Sequence, residues 1–195
     1  MVTKPRWCLG MLGTKRHHFG NIVGHVDGVS DLSSLSSWVS DQFDLQLDWD
    51  DIARIRDWWG GKLILKGIMD PEDAKQAGKI GADAIVVSNH GGRQLDGAES
   101  SIAMLPEVAA TVGNEIDVWM DSGVRSGQDV LKAIALGAKG VMIGRAFIYA
   151  LGANGKQGVS DALHIIHKEL DYTMAMCGHR DIHNVDRQIL RNCPF

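Results

Sequence analysis

Short runs of hydrophobic residues recur along the chain from residue 61 onward. Each run is too short for a helix and does not alternate with polar residues, which is typical of a strand buried on both faces of a parallel sheet. The four clearest runs are residues 63–65, 84–87, 118–120 and 141–143. The pattern therefore predicts about four parallel strands.

Helical patterns separate these runs. Residues 71–78 and 128–136 have helical spacing, and residues 161–177 predict a long helix near the end of the sequence. The junctions at Gly81 and Gly137 are alike, because in each a glycine ends a helix directly before the next hydrophobic run. Strands and helices that alternate over short connections predict a parallel α/β architecture. Periodicity alone leaves open whether the sheet closes as a barrel or stays open and doubly wound.

Residues 1–60 lack this regularity. Their one regular stretch, residues 49–59, predicts an amphipathic helix that is capped by Asp48 and ended by Gly60. We therefore expect the chain to divide near residue 60.

Composition and charge exclude several classes of function. With 23% charged residues and a net charge of −4, the 195-residue chain gives no electrostatic reason to expect a nucleic acid as partner. Cys8, Cys177 and Cys193 lie far apart and without metal-ligand spacing, so we expect neither a disulfide framework nor a metal site, and a reducing cytoplasm as the compartment. No apolar run reaches the length of about 18 residues that indicates a membrane span.

Polar residues follow each predicted strand, at the edge of a parallel α/β sheet where ligands bind. Lys66 ends the first run, where a lysine either meets an anionic or electron-rich ligand or extends to solvent. The second run leads into residues 88–96, in which His90 can act as a base and Arg93 can bind a carboxylate through two hydrogen bonds. Their closeness at a strand end predicts a catalytic site rather than an ordinary turn.

The last two runs also lead into glycine and arginine. Residues 121–127 continue directly into a predicted helix, and Gly144 and Arg145 follow the fourth run. Free N–H groups at a helix start bind anions, and barrels commonly bind phosphate after their last two strands. Ordinary turns with solvated arginines are the alternative, but two successive strand ends of this kind favour a phosphate site.

Residues 66–68, 88–96, 121–127 and 144–145 together resemble the FMN-dependent α-hydroxy-acid oxidoreductases. The likeness runs from about residue 1 to residue 190 and, within the family, is greatest to the bacterial respiratory L-lactate dehydrogenases. It implies FMN as cofactor and a small 2-hydroxy acid as substrate. The implied reaction is the oxidation of an L-2-hydroxy acid, above all of L-lactate to pyruvate. We also expect a homo-oligomer.

The resemblance implies a role for each residue of the predicted site. His90 is the base, which takes a proton either from the hydroxyl of the hydroxy acid as hydride leaves or from its α-carbon, and Arg93 binds the substrate carboxylate. Lys66, counted with His90 as catalytic, lies near the N1–O2 edge of the flavin. The other implied FMN contacts are Ser88 near the ring, and Asp121, Gly123, Arg125, Gly144 and Arg145 around the ribityl phosphate.

Members of this family carry an N-terminal half that has no counterpart in this sequence. That half supplies about four strands of the barrel and the aspartate that pairs with the catalytic histidine, and a complete barrel needs about 250 residues. We therefore expect residues 61–195 to form the C-terminal half of a (β/α)8 TIM barrel of the α/β class. The chain would be a fragment, a truncated gene product or half of a split enzyme.

Residues 7–12, followed by Lys15, Arg16, His17 and His18, lie where membrane-bound members of the family place a membrane-contacting insert. An apolar patch with basic flanks suits contact with a membrane interface, and packing on the barrel or on another subunit is an equal alternative. We expect residues 1–60 to be a mobile, membrane-contacting segment with one amphipathic helix. The protein is then cytoplasmic, with peripheral contact at the inner face of the cell membrane.

Two other functions stay open at this point. One is a noncatalytic half-barrel that binds phosphate or FMN weakly and self-associates through its unpaired strand edges. The other is a phosphate-binding barrel of unrelated chemistry, such as an FMN-dependent isomerase. The pair of His90 and Arg93 disfavours the second, because phosphate binding requires neither residue.

Overall fold

The structure is a computed structural model that describes residues 5–14, 20, 22, 25–29 and 32–191. The chain forms two compact units, Met1–Asp48 and Trp49–Phe195. This division precedes the helix at residues 49–58, whereas we expected it near residue 60. The helix belongs to the second unit because Trp49 packs against that unit's hydrophobic core.

The first unit contains the short helices α1 (Pro5–Gly13) and α2 (Leu32–Asp41). Helix α1 leaves four large hydrophobic side chains exposed, those of Trp7, Leu9, Met11 and Leu12. The predicted basic flank, made of Lys15, Arg16, His17 and His18, lies outside the described residues. The mobility and membrane contact expected of residues 1–60 therefore stay predictions.

The second unit is built on a parallel sheet in which the strand order follows the sequence order. The strands are β1 (Ile64–Ile68), β2 (Ala84–Val87), β3 (Asp117–Met120) and β4 (Gly140–Val141). The helices are α3 (Trp49–Trp58), α4 (Pro71–Ile80), α5 (Ser101–Val112), α6 (Gly127–Ala135) and α7 (Arg145–Met176), followed by 3-10 turns at Ile182–Asn184 and Arg187–Ile189. The prediction of about four parallel strands is confirmed.

The helix ends follow the local sequence signals. Asp70 caps α4 by accepting the N–H of Glu72 at 2.7 Å. Gly81 ends α4 in the left-handed conformation, with φ of 83°, and Gly137 has φ of 106° after α6. Both predicted glycine junctions are therefore confirmed. Among the described residues, no helix combines the length and the apolar character needed to cross a bilayer.

Helices α4, α5 and α6 supply buried residues to the core that covers one face of the sheet. Residues of β2 are buried on both faces, as the pattern predicts. The same prediction is wrong for β1 and β3, since Ile64 is 44% exposed and Trp119 is only partly buried. These side chains point away from the helices, because successive residues of a strand face opposite sides.

Matched ion pairs join the strands at their amino ends. Lys62 Nζ lies 2.6 Å from Asp83 Oδ1, and Lys139 Nζ lies 2.6 Å from Asp117 Oδ1. Asp83 also accepts the N–H of Leu63 at 2.9 Å. The hydrogen bond from Lys62, together with that from Leu63, holds the pKa of Asp83 below its ordinary value. This edge therefore carries charges that tie neighbouring strands together.

Candidate active site

A cleft of about 520 Å³ opens at the carboxyl ends of the four strands. Eight of the nine predicted site residues line it: Lys66, His90, Arg93, Asp121, Gly123, Arg125, Gly144 and Arg145. The ninth, Ser88, is buried and contacts Lys66. Residues that are far apart in the sequence are thus brought together at one edge of the sheet.

Lys66 lines this cleft and is held by two partners. Its Nζ donates to Ser88 Oγ at 2.8 Å and lies 2.9 Å from Asp121 Oδ2. Burial opposes the ionisation of Asp121, but hydrogen bonds from Ser88, Lys66 and Ser122 outweigh it, so the pKa of Asp121 lies below its ordinary value. The carboxylate of Asp121 is therefore engaged with a lysine and would repel a phosphate. The predicted contact of Asp121 with the ribityl phosphate stays a prediction.

Residues 88–96, called the His90 loop from here on, are fixed by side-chain hydrogen bonds. His90 donates its N–H to Ser88 Oγ at 3.2 Å, and Asn89 Oδ1 accepts the N–H groups of Gly91 and Gly92 at 3.1 and 3.2 Å. The backbone of His90 is left-handed, with φ of 57°, which is uncommon for a residue with a side chain. Asn89 carries no role in the sequence-based prediction, although asparagine commonly organises turns of this kind.

Gly67 makes room for the imidazole of His90. A Cβ at Gly67 would lie 2.8 Å from Cε1 of His90, and the backbone φ there is 99°. The pairing of β1 with β2 shifts register between Lys66 and Ile68, as at a β-bulge. The sequence motif includes Gly67 without revealing this role, since only the fold brings β1 and the His90 loop together.

The N–H groups of Arg125, Ser126 and Gly127 at the start of α6 are already engaged by carboxylates of the chain, and the phosphate contact expected of residues 121–127 stays a prediction. Arg125 and Ser126 both donate their N–H groups to Asp129 Oδ2 at 3.0 Å, and Asp129 donates its own to Ser126 Oγ at 3.2 Å. Gly127 donates to Glu169 Oε2 of α7 at 2.9 Å. Carboxylates of the chain thus take the place that a phosphate would have at this helix start.

Three arginines supply positive charge to the cleft. Arg93, Arg125 and Arg145 all line it, and α7 begins there at Arg145, directly after Gly144. Arg145 also donates from Nη2 to the carbonyl of Gly91 at 3.1 Å, so its guanidinium contacts the His90 loop. Met142, Ile143 and Ile148 add apolar surface. The cleft therefore suits a ligand that has an apolar part and an anionic end.

The sequence is similar to enzymes of one family along nearly all its length. A family model described as FMN-dependent dehydrogenase matches residues 1–192. An L-lactate dehydrogenase of a Caulobacter species is 50% identical over 191 residues, which are 97% of this chain and 50% of that protein. The L-lactate dehydrogenase of Azorhizobium caulinodans is 47% identical over 195 residues, which are 99% of this chain and 51% of that protein. The chain spans about half the length of these relatives.

Solved structures of the same kind share the fold. The crystal structure of the monotopic membrane protein (S)-mandelate dehydrogenase has a TM-score of 0.87 at 38% identity, over 96% of this chain and 49% of that one. A mandelate oxidase mutant with a monooxide FMN adduct has a TM-score of 0.70 at 43% identity, over 72% of this chain and 45% of that one. The predicted α/β half-barrel is therefore confirmed. By family model, sequence identity and fold, the chain belongs to the FMN-dependent dehydrogenase family.

Proposed function

We propose that this chain takes part in the FMN-dependent oxidation of an L-2-hydroxy acid, with L-lactate as the substrate. The observation that carries the proposal is that His90, Arg93 and Lys66 line one cleft together with Arg125 and Arg145. The reaction requires of the protein a base, a carboxylate-binding group and a cofactor site. Relatives named L-lactate dehydrogenase support lactate as the substrate.

FMN suits the residues of the cleft. Arg125, Gly144 and Arg145, with Gly123, would hold its phosphate, and Lys66, supported by Ser88 and Asp121, would place positive charge at its ring. Bound FMN supplies the two-electron acceptor of the oxidation. The protein then contributes orientation and charge.

His90 and Arg93 would act on the substrate itself. The guanidinium of Arg93 presents two parallel N–H donors to the substrate carboxylate, which fixes the position of the α-carbon. His90 is exposed to the cleft and accepts a proton from the substrate, from its hydroxyl or from its α-carbon. The imidazole is held in reach by Gly67 and by the bonds of the His90 loop.

The experiment compares the 195-residue chain alone with the chain co-expressed with the part of the Caulobacter L-lactate dehydrogenase that it does not match. We expect L-lactate to reduce an artificial acceptor in the FMN-loaded complex, with little or no turnover by the chain alone. Strong turnover by the chain alone would contradict the need for a second half. An FMN-loaded complex that leaves L-lactate unoxidised would contradict the function.

Substitutions in the complex identify the residues that carry the reaction. His90→Gln should lower kcat by about 10²–10⁴-fold, the usual share of a general base, while FMN stays bound. Arg93→Met should raise the KM for L-lactate because the carboxylate loses its clamp. The matched control is His167→Gln, at an exposed position of α7 whose side chain is 71% exposed. Loss of activity in the control would show that the assay reports folding rather than chemistry.

A noncatalytic, self-associating half-barrel is the second candidate. It is favoured by the exposed side chains of Ile64 and Met142 at the sheet, and by edge strands β1 and β4, each of which pairs with one neighbour. FMN binding without lactate oxidation, in a chain that sediments as a dimer, would support this candidate over the enzyme. A homo-oligomeric enzyme would instead sediment as an oligomer and also oxidise L-lactate.

We also propose that α1 makes a peripheral membrane contact. Its Trp7, Leu9, Met11 and Leu12 are large, apolar and exposed, like the side chains that enter a membrane interface. A structural neighbour is a monotopic membrane protein, which agrees with this assignment. Flotation of the chain with anionic vesicles, lost on Leu9→Ser and Leu12→Ser, is the expected result. Equal flotation of the parent and the double variant would refute it.

A further inference from the structure

Gly91, the neighbour of His90, is held through both polar groups of its backbone. Its N–H donates to Ser122 Oγ at 3.0 Å and to Asn89 Oδ1 at 3.1 Å. Its carbonyl accepts from Arg145 Nη2 at 3.1 Å. Ser122 follows β3 and Arg145 follows β4, so the His90 loop is tied to two neighbouring strand ends.

Ser122 has an unfavourable backbone conformation. Its φ is 73°, in the left-handed region that side chains disfavour and glycine adopts freely. Non-glycine residues persist there when their surroundings hold them, and they cluster at functional sites. Glycine would remove the strain but also the hydroxyl. The presence of serine therefore indicates that the hydroxyl has a use.

The hydroxyl of Ser122 makes one hydrogen bond in each direction. It donates to Asp121 Oδ1 at 2.8 Å and accepts the N–H of Gly91 at 3.0 Å. Asp121 contacts Lys66 through its other oxygen at 2.9 Å. A continuous chain of polar contacts thus runs from Lys66 through Asp121 and Ser122 to Gly91.

We propose that Ser122 is a positioning residue for the base: its hydroxyl holds the N–H of Gly91, and with it His90, at a fixed place relative to the pair of Lys66 and Asp121. The proposal deepens the function above, since it rests on His90 as the base. Ser122 acts through Gly91 and takes no proton itself. Lys66 marks the cofactor side of the cleft and His90 the substrate side, so Ser122 fixes the separation between them.

The test is amide hydrogen exchange, measured by NMR on the full 195-residue chain and on two variants. Ser122→Ala removes the hydroxyl and keeps a side chain at a left-handed position, whereas Ser122→Gly removes the hydroxyl and the strain together. We expect the amide of Gly91 to exchange about five- to tenfold faster in both variants, the effect of losing one hydrogen bond. Ser160→Ala, at an exposed position of α7, is the matched control and should leave that amide unchanged.

The neighbouring amide of Asp121 separates positioning from general destabilisation. It donates to the carbonyl of Val87 at 3.1 Å and reports on the sheet beside Ser122. Its exchange rate should stay the same in Ser122→Gly while that of Gly91 rises. Equal acceleration of both amides, or an unchanged Gly91 amide in both variants, would overturn the proposal. A Gly91 amide that is unprotected in the parent chain would overturn it as well.

Kinetics of the complex give a second readout that a structural role alone would not move. Both variants should lower kcat about tenfold and leave the KM for L-lactate unchanged, because Arg93 keeps its place while His90 does not. A rise in KM with unchanged kcat would contradict positioning of the base. If the parent complex fails to oxidise L-lactate, the proposed function fails, and the exchange rates still judge the role of Ser122.

Discussion

Two glycines shape the site at the residue scale. Gly67 leaves the space that the His90 imidazole fills, and the backbone of Gly91 makes hydrogen bonds with Ser122 and Arg145. A Cβ at Gly91 would lie 3.0 Å from Arg145 Nη2, and its φ is 72°. The His90 imidazole is therefore placed by the absence of side chains at two glycines as much as by hydrogen bonds.

Gly67→Ala should displace His90 and destabilise the chain. The φ of 99° is strained for alanine, which costs about 1–3 kcal/mol, and the new methyl group would meet the imidazole. We expect a lower midpoint of urea unfolding and loss of lactate oxidation in the complex. The control is Gly78→Ala in α4, where the Cβ would lie 3.4 Å from Glu115 Oε2 and φ is ordinary. A stability of Gly67→Ala equal to that of this control would contradict the proposed role of Gly67.

The residues that sequence alone identifies are those whose chemistry is visible in their type and place. His90 and Arg93 follow the buried strand β2, and Lys66 ends a hydrophobic run of the sequence, where histidine, arginine and lysine are hard to explain as core. Ser122 escapes such reasoning, because its role depends on a left-handed φ and on a hydrogen bond to a residue 31 positions away. Asp121 lines the cleft, but its carboxylate contacts Lys66, so its predicted contact with the phosphate stays a prediction.

At the scale of elements, hydrophobic runs locate the strands well, but three helices are not predicted: α5, and α1 and α2 in a segment where we expected only the helix at residues 49–59. The runs at residues 84–87 and 118–120 coincide with β2 and β3. Helix α5 is not predicted because Pro106 lies inside it and its largely apolar composition hides the helical period. Helix α7 begins at Arg145 rather than near residue 161, and Asn154 and Gly155 interrupt it.

Packing of α6 on α7 depends on the absence of a side chain at Gly127. A Cβ there would lie 2.0 Å from the backbone nitrogen of Leu170, so Gly127→Ala would force the helices apart. We expect a loss of about 1–3 kcal/mol or more in the free energy of unfolding, as for other overpacked sites. Thermal unfolding followed by circular dichroism measures it.

Gly152→Ala is the matched control, because no heavy atom lies within 4 Å of the Cβ position and the residue is exposed on α7. Alanine has the higher helix propensity, so this variant should be as stable as the parent or more so. Equal thermal stability of Gly127→Ala and Gly152→Ala would show that α6 and α7 do not pack as closely as described.

At the scale of the whole molecule, the two ends of the parallel strands differ in their charges: those at the amino ends are paired, and those at the carboxyl ends are mostly positive. The amino edge holds the pairs of Lys62 with Asp83 and Lys139 with Asp117, which join strands. The carboxyl edge holds the cleft, where arginines outnumber the acids that could neutralise them. The ion pairs that join the strands therefore lie at the amino ends, and the cleft lies at the carboxyl ends of the same strands.

Acid should weaken the fold through Asp83 and Asp121. The pKa of each carboxyl lies below its ordinary value in the folded chain. Each therefore contributes stability when the pH lies above the pKa of an aspartate in the unfolded chain, about 4. That contribution is lost as the pH falls through the folded-state pKa. Asp83→Asn should therefore lower the Tm at pH 7, and the difference from the parent should shrink below pH 4.

The measurement is the Tm of the parent and of Asp83→Asn between pH 2 and pH 7. Asp171→Asn removes a carboxylate from the exposed surface of α7 and controls for the loss of charge itself. A Tm difference between parent and Asp83→Asn that stays constant from pH 7 to pH 2 would contradict the assignment.

The hydrogen bonds that Ser122 and Arg145 make to the backbone of Gly91 matter for loop grafting, in which the substrate preference of one relative is transferred to another. A graft of the His90 loop alone would not include the Ser122 hydroxyl and the Arg145 guanidinium, to which the backbone of this loop is hydrogen-bonded. The smallest transferable unit is the His90 loop together with residues 121–126 and 144–145. The ion pairs at the amino edge lie outside that unit and can be kept from the recipient.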